Sequence, residues 1–350
     1  MTDAEAIPLH VVTGFLGAGK TTLINRLLGA RELADALVIV NEWGEVGLDH
    51  LLFEAIEGDV VLMPSGCLCC SLRGDLIDCL RDLLARRDSG ALAPFSRIVL
   101  ETSGLSDPAP ILHALMADPI LARRTILAGV TTLVDAVNGQ ATLEAHGEAR
   151  RQVALADRIA LTKSDLVETP DRAARLARLR ATIADINPFA PILDAAAGEF
   201  GLEDFLSEPL DFSPRAGGAD ASVHASSIRA YAFAESAPLG APALARFLEA
   251  LRTMLGPRLL RVKGLAAIAE HPDQPLLIHG AQHIFHAPRR LAAWPRGERG
   301  TRIVVIVDGV DAKSIARLGE ALSGRPQIDA PDLAALSENP LAPRPGGLLG

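Results

Sequence analysis

The 350-residue sequence contains few cysteines, no long apolar run and no cluster of basic residues. Four cysteines are too few for a disulfide framework in a chain of this length. Charged residues interrupt every apolar stretch well before the roughly 18 residues that a membrane span requires, which excludes a membrane protein. The acidic start, MTDAEAIPLH, lacks the basic and apolar regions of a secretory signal peptide, so we expect a cytoplasmic protein.

The charge balance of the chain is negative. Lys and Arg number 34 against 43 Asp and Glu, which gives a formal net charge of −9. A chain of this charge without a basic run is not expected to bind nucleic-acid phosphates. Hydrophobic residues at 49% and charged residues at 22% are typical of a folded globular protein. At about 150 residues per domain, the length predicts roughly two domains.

Short apolar runs alternate with helical patterns in the first part of the chain. The predicted strands are Ile7–Thr13, Ala36–Asn41, Asp59–Met63, Ser96–Glu101, Thr125–Val134, Arg158–Leu161 and Pro191–Leu193. Helices are predicted at Thr21–Leu28 and Gly74–Arg86. Several strands are apolar throughout, as expected when helices cover both faces of a sheet. We therefore predict a doubly wound, mostly parallel α/β domain over residues 1–212.

The small, polar segment SPRAGGADAS, which begins at Ser213, marks a change in organisation. We predict a linker over residues 213–223 and a second, smaller α+β domain over residues 224–325. Its predicted elements are Ile228–Phe233, Ala243–Leu255, Leu259–Ile268, Leu276–Phe285, Arg302–Val307 and Ala312–Ser323, of which the second and last are helices. Residues 326–350 are rich in proline and offer no periodic apolar face, so they are predicted to be disordered.

The clearest motif is GFLGAGKT at residues 14–21, which matches GxxxxGK followed by Ser or Thr and lies between an apolar strand and a helix. Glycines let the backbone curl so that its N–H groups point at phosphate oxygens. Lys20 would reach the β- and γ-phosphates, and the Thr21 hydroxyl would bind Mg²⁺. The predicted phosphate cradle is Gly14, Gly17, Ala18, Gly19, Lys20, Thr21 and Thr22. The sheet is then of the P-loop NTPase type; the alternative is a glycine-rich turn that binds nothing.

A second motif, TKSD at residues 162–165, follows a predicted strand at the sheet edge where ligands of open α/β sheets bind. A buried Asp165 carboxylate would accept hydrogen bonds from guanine N1 and the 2-amino group, which adenine does not offer. Thr162, Lys163 and Asp165 form the predicted base site, which favours GTP, although the usual guanine motif begins with Asn. The alternative is a polar helix cap formed by Ser164 or Asp165.

The segment ETSG at residues 101–104 ends another predicted strand. Our hypothesis is that Glu101 orients water or the Mg²⁺ shell and that the Gly104 N–H senses the γ-phosphate. With Lys20 and Thr21, these two residues complete the predicted catalytic set. The alternative is a surface turn with an incidental glutamate.

Three of the four cysteines, Cys67, Cys69 and Cys70, fall in one loop before a predicted helix. Three thiolates can bind Zn²⁺ or a comparable ion and leave one tetrahedral position open, as exchange with another protein requires. Glu42, in the loop NEWGEVG, is a candidate fourth ligand. The alternatives are buried thiols or a redox pair for the cysteines, and a solvated loop for Glu42. Cys79 is expected to pack within a helix.

Histidines in the second domain suggest a further metal site at His279, His283 and His286. On one continuous strand, His279 and His283 would lie about 13 Å apart at about 3.3 Å per residue. That spacing predicts no local chelate.

Together these motifs resemble those of the CobW-like metallochaperone GTPases. The resemblance is carried by GFLGAGKTT at 14–22, NEWGEVGLD at 41–49, GCLCC at 66–70, ETSGLSDP at 101–108, TKSD at 162–165 and LLRVKG at 259–264. It implies slow, Mg²⁺-dependent GTP hydrolysis, with zinc or cobalt held by Cys67, Cys69 and Cys70 and passed to a client metalloprotein. A second copy of the chain is another candidate partner. The alternatives are a metal-storage protein with a structural nucleotide, and an activator dedicated to one metalloenzyme, such as a nitrile hydratase or a cobalt–corrin pathway.

Overall fold

Two β-sheets organise the chain in the computed structural model, which describes residues 6–40, 60–62, 71–168, 170–208, 210–213, 227–295 and 299–322. We call residues 6–213 the first lobe and residues 227–322 the second lobe. The first lobe contains strands β1 (Ile7–Gly14), β2 (Ala36–Val40), β3 (Val60–Leu62), β4 (Arg97–Glu101), β5 (Thr125–Asp135), β6 (Arg158–Thr162) and β7 (Ile192–Asp194). They lie in the order β3-β2-β4-β1-β5-β6-β7, and every neighbouring pair is parallel.

Helices cover both faces of this parallel sheet. They are α1 (Lys20–Leu28), α2 (Ser71–Asp88), α3 (Ala109–Ala117), α4 (Leu121–Arg124), α5 (Gly139–Ala145), α6 (Gly147–Leu155), α7 (Arg172–Ile186) and α8 (Leu202–Leu206). Successive strand residues point to opposite faces. Accordingly, Val11 joins a buried cluster with Leu76 of α2, whereas Val12 joins another cluster with Leu23 of α1. The prediction of a doubly wound parallel sheet is therefore confirmed.

The second lobe is an antiparallel sheet with two helices. Its elements are β8 (Ile228–Glu235), α9 (Ala241–Leu255), β9 (Leu259–Ile268), β10 (His271–Ala281), β11 (Ile284–Phe285), β12 (Arg289–Arg290), β13 (Thr301–Asp308) and α10 (Ala312–Leu322). The strand order is β11-β10-β9-β13-β8, with β12 paired to β10. Helix α9 buries Leu244, Phe247, Leu251 and Leu255, which share one helical face, against the sheet.

The other face of the second sheet packs on the first lobe. Leu260, Val304 and Ile306 belong to the same buried cluster as Val153 and Ala154 of α6. The two lobes therefore share part of one hydrophobic core. None of the helices in the described ranges has the length and hydropathy needed to cross a bilayer.

One predicted strand, Leu276–Phe285, is wrong. Strand β10 ends at Ala281, and the chain reverses at Gln282, which has a φ of 52°. Strand β11 then pairs antiparallel with β10. His279 and His286 consequently lie across from each other, with the His286 N–H donating to the His279 carbonyl at 3.0 Å. The predicted linker, apart from Ser213, and the predicted tail fall outside the described residues.

Candidate functional site

The turn between β1 and α1 carries the predicted phosphate cradle. Gly14, Gly17 and Gly19 have φ angles of 142°, 72° and 89°, a region that side chains disfavour. A Cβ on Gly14 would also lie 2.5 Å from the carbonyl oxygen of Leu133, so both conformation and space require glycine there. Gly19 is the N-cap of α1 and supplies no side-chain cap, which leaves the first helical N–H groups to meet an anion.

Lys20 folds back over this turn. Its Nζ donates to the carbonyl of Gly14 at 3.0 Å and lies 3.5 Å from the carbonyl oxygen of Phe15. Lys20 and Ala18 are buried, whereas Thr22 is exposed on the first turn of α1. The ammonium group is thus held at the centre of the loop by carbonyls that phosphate oxygens can replace.

Glu101 and Thr21 meet at the end of two neighbouring strands. The Thr21 hydroxyl lies 3.2 Å and 3.4 Å from the two carboxylate oxygens of Glu101. Glu101 is buried at the carboxyl end of β4, paired in register with Val12 of β1. A hydroxyl and a carboxylate are hard oxygen ligands of the kind Mg²⁺ prefers, so the donor set fits this ion.

Gly104 packs directly against the phosphate cradle. A Cβ at this position would lie 2.7 Å from the backbone nitrogen of Leu16. The Gln152 side chain of α6 donates to the carbonyls of Gly104 and Ser106, each at 3.1 Å. The segment after β4 is therefore in contact with the cradle on one side and with α6 on the other.

The TKSD motif reaches the same loop from β6. The Thr162 hydroxyl donates to the Ala18 carbonyl at 2.8 Å, and Lys163 Nζ donates to the Gly17 carbonyl at 2.6 Å. Ser164 donates to Asp194 at 2.7 Å and does not cap a helix. Asp165 is exposed, not buried as the argument from sequence assumed, because it lies in a three-residue 3-10 helix beyond the end of β6.

Asp135 is a site residue that the sequence argument missed. It ends β5 and accepts a hydrogen bond from Lys163 Nζ at 2.9 Å and another from the Val137 N–H at 2.8 Å. Burial acts to raise the pKa of Asp135, but these hydrogen bonds and those from Asn138 lower it below its ordinary value. The available signal was its place at the end of a predicted strand, as for Glu101.

Arg151 of α6 was also missed, and it joins the two lobes. Its guanidinium donates to Asp107 at 2.8 Å and to Asp308 at 2.9 Å. Asp107 follows the Gly104 segment, and Asp308 ends β13. Helix α6 therefore contacts both the loop beside the phosphate cradle and the second lobe.

A buried ionic cluster lies deeper between the lobes. Asp157 accepts hydrogen bonds from Arg261 at 3.0 Å and from Lys263 at 3.0 Å. Burial acts to raise the pKa of Asp157, but the positive charges of Arg261 and Lys263 hold it well below its ordinary range. Burial lowers the pKa of Lys263 to about 8. The LLRVKG segment thus supplies cations to the lobe interface.

The predicted thiolate ligands Cys67, Cys69 and Cys70, together with Glu42, lie outside the described residues. Within the described ranges no group of three or more His, Cys, Asp and Glu side chains is arranged to hold a metal. Cys79 of α2 is half-buried against the core, and burial raises the pKa of its thiol.

The strands that precede Glu42 and the three cysteines in the sequence are described, β2 paired with β4 and β3 paired with β2. Val40, the last residue of β2, pairs in register with Glu101 of β4 and with Leu62 of β3. Adjacent strands are about 4.8 Å apart. The end of β2, which precedes Glu42 in the sequence, is therefore one strand away from Glu101. The end of β3, which precedes the three cysteines in the sequence, is two strands away at the same edge of the sheet.

Family comparison agrees with this geometry. The nucleotide-binding domain described as CobW/HypB/UreG matches residues 8–194, and the cobalamin synthesis protein cobW C-terminal domain matches residues 228–322. The chain belongs to the CobW/HypB/UreG family. The family's nucleotide-binding domain covers the first sheet, and its C-terminal domain covers the second. The resemblance stated from the motifs is thereby confirmed.

Individual relatives cover most of the chain. The zinc chaperone YjiA of Escherichia coli is 33% identical over 80% of this chain and 88% of its own. The zinc chaperone CobW of Pseudomonas aeruginosa is 33% identical over 90% of this chain and 91% of its own. The crystal structure of Zn(II)-bound YjiA GTPase from E. coli superposes with a TM-score of 0.66 at 26% identity, covering 92% of this chain and 99% of that one.

Proposed function

We propose that this chain is a Mg²⁺-dependent GTPase that carries zinc as cargo and passes it to a client metalloprotein. The observation that supports it most is the convergence of Lys20, Thr21 and Glu101 on one loop, from helix α1 and strand β4. The choice of zinc as the cargo is supported by membership of the CobW/HypB/UreG family and by the zinc chaperones among the relatives.

In the phosphate cradle, phosphate oxygens could take the place of the present hydrogen-bond partner of Lys20. Loop N–H groups from Gly17 to Thr22 would bind the phosphates, and Lys20 would exchange the Gly14 carbonyl for β- and γ-phosphate oxygens. Thr21 and Glu101 would hold Mg²⁺, which neutralises charge on the transferring phosphoryl group. Glu101 is buried and close to the Thr21 hydroxyl, so a water at this position would also be oriented by its carboxylate.

Selection of guanine would fall to Lys163 and Asp165. Lys163 already spans from the cradle to Asp135, a position where its methylene groups can lie along a base. The exposed Asp165 carboxylate is free to meet the guanine N1 and 2-amino groups, and the bound base would then cover it. Cobalt in place of zinc remains a second choice of cargo, since thiolates accept both ions.

Coupling between nucleotide and cargo would run along the sheet edge. A γ-phosphate at the cradle would meet the Gly104 N–H, because Gly104 packs so closely that a Cβ there would lie 2.7 Å from the backbone nitrogen of Leu16. Glu101 pairs with Val40, which precedes Glu42 by two residues in the sequence. We therefore expect the bound nucleotide to change, through the ends of neighbouring strands, the zinc affinity of the site proposed for Cys67, Cys69, Cys70 and Glu42. By linkage, zinc must tighten GTP binding by the same factor as GTP tightens zinc binding.

The decisive experiment measures zinc affinity by competition with a chromogenic chelator, in Mg²⁺ with either a non-hydrolysable GTP analogue or GDP. We expect the analogue to tighten binding tenfold or more, about 1.4 kcal/mol of coupling, and Cys67→Ala to abolish the coupled site. Cys79→Ala is the matched control, because this thiol packs in α2 outside the loop and should leave coupling intact. Equal affinity in both nucleotide states would contradict the proposal and favour a storage protein.

A further inference from the structure

Two histidines from different lobes meet at the surface, far from the thiolate loop in sequence. The Nε2 atoms of His113 on α3 and His283, in the turn between β10 and β11, lie 3.2 Å apart. The ring centroids are 4.6 Å apart and the planes are inclined by 53°. His283 is exposed and His113 is half-buried, so an ion in solution can reach both rings.

We propose that His113 and His283 form a second divalent-metal site, which takes zinc or a similar imidazole-binding ion between the two lobes. Zinc–nitrogen bonds of about 2.0–2.1 Å at a tetrahedral angle place two ligating nitrogens about 3.3 Å apart. The observed separation of 3.2 Å matches that spacing. Both rings contribute the same atom, Nε2, which is one of the two imidazole nitrogens that bind metals.

The surroundings make this an open site. His283 is exposed, which leaves positions for water or a partner's side chain to complete the coordination, and it also lines a cavity of about 530 Å³ between α9 and the β10–β11 turn. Glu249 lines the same cavity, but its carboxylate is paired with Arg252 at 2.7 Å. Two protein ligands with open positions hold an ion in an exchangeable way, in contrast to a closed structural site.

The site depends on the turn at Gln282. A continuous strand through this segment would have kept His283 in line with β10, whereas the reversal directs it to α3. Helix α3 begins two residues after Asp107, whose carboxylate accepts hydrogen bonds from the Ala109 N–H at 2.9 Å and from Arg151. An ion here would therefore tie the second lobe to the helix that follows the Gly104 segment.

The test uses Zn²⁺ alone, without nucleotide, on the full chain with Cys67, Cys69 and Cys70 all replaced by serine. We expect one bound equivalent, with affinity reduced tenfold or more by His113→Ala and by His283→Ala. The double variant should be no weaker than either single variant, because both remove the same site. His271→Ala is the matched control, an exposed histidine at the start of β10 that should leave binding unchanged.

A second variant separates metal binding from a simple hydrogen bond between the rings. His113→Gln can still hydrogen-bond to His283 but lacks the imidazole ligand. We expect it to lose zinc while keeping the thermal stability of the metal-free parent. Zinc affinity unchanged by the His113 and His283 variants, or reduced as much by His271→Ala, would overturn the proposal. Neither result would bear on the thiolate site, because the tested variant has serine in place of Cys67, Cys69 and Cys70.

Discussion

The phosphate cradle and the lobe interface treat a buried cation in opposite ways. In the cradle, Lys20 is held by backbone carbonyls, with Gly14 at 3.0 Å. At the interface, Arg261 and Lys263 enclose a full counter-charge, Asp157, whose side chain is 4% exposed. The carbonyl partners can give way to phosphate oxygens, whereas removal of the carboxylate would strand two charges. The hydrogen bonds of Lys20 to loop carbonyls are therefore exchangeable contacts, whereas the ion pairs of Arg261 and Lys263 with Asp157 are permanent contacts.

The largest expected effect follows from breaking the permanent contact. Asp157→Asn leaves Arg261 and Lys263 without a counter-charge in a buried position, so we expect unfolding free energy to fall by about 3–5 kcal/mol. Denaturant titration measures this loss. Adding Lys263→Met should recover part of it, since one unpaired charge is then removed. A loss below about 1 kcal/mol would show that the cluster is solvated in solution.

Breaking the exchangeable contact should spare the fold. Lys20→Ala removes the cation that, in the proposed function, binds the phosphates, and we expect GTP turnover to fall by about 10²–10³-fold. Thermal stability without nucleotide should change little, because the Gly14 and Phe15 carbonyls that Lys20 contacts belong to the loop and not to the core. Hydrolysis rates and melting curves on one preparation test both halves. Strong destabilisation without nucleotide would place Lys20 with the permanent contacts.

A neutral buried group, His10, sharpens the comparison. Burial, with smaller contributions from the charges of Arg158 and Arg97, lowers the pKa of His10 to about 4 from 6.5. Between pH 4 and pH 6.5 the unfolded chain therefore binds a proton at His10 that the folded chain does not bind. The free energy of unfolding falls as pH drops from 6.5 towards 4, by up to about 3 kcal/mol. His10→Gln should reduce this slope by about one proton in pH-dependent unfolding. An unchanged slope would contradict the burial argument.

The smallest expected effect concerns Arg151, which links the segment beside the phosphate cradle to the second lobe. Arg151→Gln removes a guanidinium shared by Asp107 and Asp308 while keeping part of its hydrogen bonding. These pairs are partly exposed, so we expect a stability loss of about 1 kcal/mol or less. The informative measurement is the nucleotide dependence of zinc affinity, which should weaken two- to threefold. Arg150→Gln, the neighbour that bonds only α5 carbonyls among the described contacts, should leave that dependence unchanged.

Local chemistry was predictable from sequence because short segments carry it. The glycines of the cradle occupy positive φ angles that the motif encodes, and Glu101 ends a strand whose apolar run is visible in the chain. Asp135 was missed because its role depends on which strands are neighbours, and Arg151 because its partners, Asp107 and Asp308, are distant in the sequence. The reversal at Gln282 lacks the glycine or proline that usually marks a turn, so one strand was predicted where there are two.

Contacts between distant residues lay beyond the sequence argument for the same reason. Asp157 meets Arg261 across 104 positions, and His113 meets His283 across 170. Neither pair shares an element or a motif. The LLRVKG segment was recognised as a resemblance, but its function as a source of buried cations required the second sheet to be seen against the first lobe.

The shared core has a consequence for how the chain is made. Val153 and Ala154 of α6 are covered by Leu260, Val304 and Ile306, which belong to later strands. During translation the strands of the first sheet are synthesised before β9 and β13. Until β9 and β13 are synthesised, the nascent chain therefore exposes this apolar face. During that interval, chaperone binding or a pause in translation could prevent aggregation through the uncovered apolar face of α6.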